Sequence, residues 1–127
     1  MTQDPILPTL KTFIERITIY QRLDESIRAN WRYKHKQAAL KEPRRQAFRL
    51  ADAQAAKLAE ILSEIPETGF IEKQAARLYE LWEQSDQARI AYFTEKSDDT
   101  LGALKSSEKL LKQQIQAVGE ILKKTAL

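Results

Sequence analysis

The chain has 127 residues, with 21 Lys and Arg against 18 Asp and Glu for a formal charge of +3, no Cys, one His and three Gly. Those counts exclude a disulfide scaffold, Cys-based zinc, iron–sulfur or thiol chemistry, and the glycine-rich loops that cradle phosphates in nucleotide enzymes. At 43% hydrophobic and 31% charged residues, the composition is neither that of a membrane-embedded chain nor that of a disordered one, and the length suggests one helical domain over 1–127.

Residues 1–8 carry Pro5 and Pro8 and read as an extended lead-in. They contain no basic stretch followed by a long apolar one, so no secretory signal is expected. No apolar run approaches the roughly 18 residues that cross a bilayer. A cytoplasmic protein without membrane insertion is the expectation.

A first helix is predicted over about 9–41, with Thr9 as its cap. Leu10, Phe13, Ile14, Ile17, Tyr20, Leu23, Ile27 and Trp31 recur at gaps of three and four, the helical period. Trp31 is therefore read as core. Pro43 is expected to end this helix and to open a second over 44–65, since a proline costs nothing at the first helical position. The second stripe is Phe48, Ala51, Ala55, Leu58, Leu62 and Ile65.

Ile65-Pro66-Glu67-Thr68-Gly69 reads as a stop and a turn. A third helix is predicted over 70–97, with Ile71, Ala75, Leu78, Trp82, Ser85 and Tyr92 on one face. Ser97-Asp98-Asp99 supplies natural N-cap residues for a fourth helix over 100–125. Leu101, Leu104, Leu111, Ile115, Val118 and Leu122 give that helix a near-heptad stripe. Gly102 and Gly119 weaken it by about 1 kcal/mol each relative to Ala and are candidates for close helix approach. If Ser97–Asp99 does not break the chain, the last two helices fuse into a rod that needs a partner.

Four long helices with short connections predict an all-α fold, an antiparallel four-helix bundle with up-down-up-down topology. A self-similarity at 59–60 residues suggests two duplicated helical hairpins. It aligns Leu23-Asp24 with Trp82-Glu83, Ser26 with Ser85, Trp31 with Ile90 and Tyr33 with Tyr92.

The small net charge hides a segregation. Residues 28–49 hold Arg28, Arg32, Lys34, Lys36, Lys41, Arg44, Arg45 and Arg49 against Glu42 alone, whereas 60–99 hold ten acids and four bases. With a loop at Pro43, the basic block is expected to crown one end of the bundle. Asn30-Trp31-Arg32-Tyr33-Lys34-His35-Lys36 interleaves aromatics with cations, a pattern suited to stacking on bases and neutralising phosphates. Asp98 and Asp99 are the competing expectation, as carboxylates that neutralise Arg44 or Arg45.

Catalytic chemistry is hard to assemble. His35 is the only imidazole, no Glu-x-x-His motif is present for a di-iron bundle site, and Glu60 with Glu64 reads as a solvated face. Arg28 and His35, with six residues between them, resemble the Arg-x4–6-His motif of HEPN-type ribonucleases, small helical bundles. The resemblance implies that this Arg and His act on an RNA phosphate. Ala29 departs from the polar residue which that family usually carries after the Arg.

The sequence therefore suggests a non-enzymatic helical protein, without cofactor or metal, that works as an adaptor, assembly or regulatory component. Its partner would be another protein or a second copy. The alternative is a nucleic-acid-binding module that uses Arg28, Arg32, Lys34, His35, Lys36, Lys41, Arg44, Arg45 and Arg49. The HEPN-like ribonuclease is a third reading.

Overall fold

The computed structural model describes residues 6–65 and 69–125. The fold is all-α. The four helices are α1 (Ile6–Ala29), α2 (Lys34–Glu64), α3 (Phe70–Thr94) and α4 (Asp98–Thr125), and there is no strand among the described residues. The chain divides into two compact units, Met1–Glu60 and Ile61–Leu127, with α1 and most of α2 in the first and α3 and α4 in the second.

The first unit is an antiparallel hairpin. Three cross-links tie its helices together along their length. Gln54 donates from Nε2 to the Thr9 carbonyl at 3.2 Å, Tyr20 meets Phe48 edge-on at 5.4 Å between ring centroids, and Arg44 reaches Asp24. The interior pairs large side chains with small ones. Ile6, Leu10, Phe13 and Ile17 of α1 are fully buried, while α2 buries Ala47, Ala51 and Ala55 at every fourth residue, then Leu58. Short side chains on one helix make room for long ones on its neighbour.

The second unit is also a hairpin. Ala75, Leu78, Leu81 and Trp82 of α3 and Leu104, Leu111 and Val118 of α4 are buried. The α4 stripe repeats every seven residues, as expected of a helix lying along a neighbour. Gln114 Nε2 donates to Gln74 Oε1 at 2.8 Å, which ties α4 to α3.

Several sequence expectations need correction. The first helix ends at Ala29, not near Lys41, and the chain turns at 30–33. Pro43 starts nothing and lies inside α2. The bond that its missing N–H would have donated to the Ala39 carbonyl is lost, but both residues sit on the exposed side, where water can satisfy that carbonyl. Thr9 caps nothing, and residues 6–8 are already helical. Pro8 is the third residue of α1, where an N–H would have no helical partner anyway. The rest of the proposed lead-in lies outside the described residues, as does most of the stop at Pro66–Thr68. α3 ends at Thr94 and α4 begins at Asp98, so the last two helices do not fuse.

The glycines of α4 permit no close approach, since a Cβ on Gly102 or Gly119 would meet nothing within 4 Å. The helices do not start in the register of the 59–60 self-similarity: α3 and α4 start 64 residues after α1 and α2, and Trp31 sits in a turn whereas Ile90, its sequence match, sits inside α3.

Candidate functional site

The candidate site is the α1–α2 turn together with the first half of α2. The turn contains neither Gly nor Pro and closes through polar side chains. Asn30 donates from Nδ2 to the Ser26 carbonyl at 2.7 Å, which satisfies the end of α1. Gln37, one turn into α2, reaches back and donates from Nε2 to the Ile27 carbonyl at 2.9 Å. The Tyr33 carbonyl accepts the first backbone bonds of α2, from Lys36 and Gln37.

This closure drives Trp31, Arg32 and Tyr33 outward. Trp31 is 65% exposed and Tyr33 52%, so Trp31 is not core. It stands where the next residue of the α1 stripe would be, but the helix has already ended. The Arg32 guanidinium lies 4.8 Å from the Trp31 ring centroid, and Lys36 Nζ lies 4.9 Å from that of Tyr33. Both are cation–π distances.

Because α2 runs through Pro43, the basic block is not a crown around a loop. Lys34, Lys41, Arg45 and Arg49 are spaced i, i+7, i+11 and i+15 on one helix, within an arc of about 80° and along about 22 Å. All four are exposed. Arg45 binds Glu42 at 3.0 Å across solvent, a pair worth little and easily exchanged. Within the first hairpin, no carboxylate among the described residues pairs with Lys34, Lys41 or Arg49.

The remaining residues of the expected set are placed differently. Arg28 and Arg44 turn toward Asp24, at 3.0 and 2.7 Å, from α1 and α2 respectively. Arg44 thus takes a carboxylate from within its own hairpin, and Arg45 takes one from Glu42. Asp24 is 9% exposed. It is the charged member of an otherwise apolar face, and the two guanidiniums around it compensate its burial. His35 is exposed and lies about 100° around α2 from Lys34, off the stripe. Arg28 and His35, the HEPN-like pair, thus sit on different helices, with Arg28 held against Asp24.

Asp24, Asn30 and Gln37 are site-shaping residues that the sequence reading missed. The signal for Asp24 was present, since an acid at a stripe position between Tyr20 and Ile27 calls for a buried partner. For Asn30 and Gln37 no local pattern exists, because their roles depend on where the chain turns.

No helix of the described residues is long and apolar enough to cross a membrane. No protein-family model, no curated protein and no solved structure matches this chain.

Proposed function

We propose that this chain is a non-enzymatic binding protein that takes nucleic acid on the α1–α2 turn and the basic stripe of α2. The observation that carries the reading is the outward placement of Trp31 and Tyr33, each beside a cation and both at the head of a row of exposed Lys and Arg. Rings with cations beside them offer stacking and charge together, the two attractions that nucleic acid answers.

Fluorescence anisotropy with labelled DNA and RNA at low salt tests it. Binding is expected to weaken steeply and log-linearly as salt rises. The combined variant Arg32→Glu, Lys34→Glu, Lys41→Glu and Arg49→Glu spares the Asp24 cluster and should abolish it. Absence of binding to every oligonucleotide at low salt would overturn the reading.

A second reading, contact with another protein or a second copy, is supported by a different surface. Ile90 and Phe93 of α3 are 53% and 60% exposed at i, i+3. Ile90 also borders an open cleft of about 350 Å³ with Ala91, Thr94 and Thr100. Light scattering across a concentration series tests self-association, and Ile90→Ser with Phe93→Ser should reverse any that occurs.

A further inference from the structure

We infer that the nucleic acid held at this site is single-stranded, with bases stacked on Trp31 and Tyr33 and phosphates running along Lys34, Lys41, Arg45 and Arg49. The inference rests on the nucleic-acid reading above and names the form of the ligand.

The reason is what each part of the site can gain. A row of cations on one helix attracts the phosphates of a duplex and of a single strand alike. Exposed rings distinguish them. In a duplex the base faces are already stacked on one another, so Trp31 and Tyr33 would stay idle at its edge. In a single strand the faces are open, and each base–ring stack adds about 1–3 kcal/mol.

The placement suits a strand that passes from rings to cations. The two rings are two residues apart in a non-helical turn, and Lys34 comes directly after Tyr33 as the first residue of α2. From there the stripe continues for about 22 Å. Arg32 and Lys36, at the rings, add cation–π support. Neither ring supplies a bond that closes the turn. The turn is closed by Asn30 and Gln37, and both rings face solvent.

The test uses the chain's own fluorescence. Of the two tryptophans, Trp82 is 3% exposed and Trp31 65%, so quenching on stacking reports on Trp31. Unlabelled oligothymidylate titrated into the parent at low salt gives the quench, and the affinities of the parent and of both variants for labelled oligothymidylate and for a labelled duplex of the same length are read by anisotropy. The single strand is expected to quench the emission and to bind at least about tenfold more tightly than the duplex, the worth of one stack. Trp31→Ala with Tyr33→Ala should remove that advantage, leave duplex binding unchanged and leave the thermal melt unchanged, whereas Trp31→Phe with Tyr33→Phe should retain it. Equal affinity for both forms, with the rings dispensable, would overturn the single-strand inference and leave the broader reading standing. No binding of either form would overturn both.

Discussion

The two hairpin turns solve the same geometric problem in opposite ways. At the α3–α4 turn, polar side chains are spent on the local backbone. The Thr100 N–H donates to Ser97 Oγ at 3.2 Å, the Ser97 N–H donates to Thr100 Oγ1 at 3.0 Å, and Thr100 Oγ1 donates in turn to the Glu95 carbonyl at 2.7 Å. This is a capping box with Thr in the place of the usual Glu. At the α1–α2 turn the side-chain bonds that close the backbone come from Asn30, its first residue, and from Gln37 in α2. The Trp31, Arg32 and Tyr33 side chains close no backbone bond. One turn engages the side chains of its tip in capping, and the other leaves them facing solvent, where a ligand can reach them.

That contrast can be broken or sharpened by substitution. The largest effect is expected inside the second hairpin, where Trp82→Ala should cost about 3–5 kcal/mol in chemical denaturation, as a buried aromatic does. Next is Asp24→Ala, which leaves Arg44 facing a site without its carboxylate. A loss of about 1.5–3 kcal/mol, the worth of hydrogen bonds to a charged group, is expected in the same measurement. A loss below that range would mean that Asp24 does not hold α1 to α2. Ser97→Ala should remove about 1 kcal/mol as a lost N-cap. Gly102→Ala and Gly119→Ala, in open space on α4, should each add about 1 kcal/mol, read as a higher denaturation midpoint. Trp31→Ala should sit at the bottom of the scale, within about 0.5 kcal/mol of the parent. A melt shifted as far as that of Trp82→Ala would erase the distinction between the turns.

The sequence made the second hairpin the more readable one. Ser97 lies between two long amphipathic runs and caps through its own local atoms, so its role can be read from a few residues. Leu104, Leu111 and Val118 announce their face by spacing alone. The first hairpin misleads because the breaker between its two predicted helices, Pro43, lies on a solvent-facing side where a helix tolerates it. Its true turn has neither Gly nor Pro. Trp31 then falls four residues after Ile27, in phase with the buried stripe, so periodicity assigns it to a core that ends before it. What decides the matter is long-range, with Gln37 reaching the Ile27 carbonyl across the turn, and no local pattern encodes that. The basic block itself was legible. Its arrangement as a stripe was not, since it depends on α2 being unbroken through Pro43.

The continuity of α2 makes its length a determinant of the site. Every residue added to a helix rotates the segment before it by about 100° relative to the segment after it. One residue inserted between Lys36 and Lys41 would leave each cation present and exposed, yet would swing the aromatic tip and Lys34 a quarter-turn out of phase with Lys41, Arg45 and Arg49. Composition and net charge would scarcely register the change, and the ligand would meet two half-sites that face different directions.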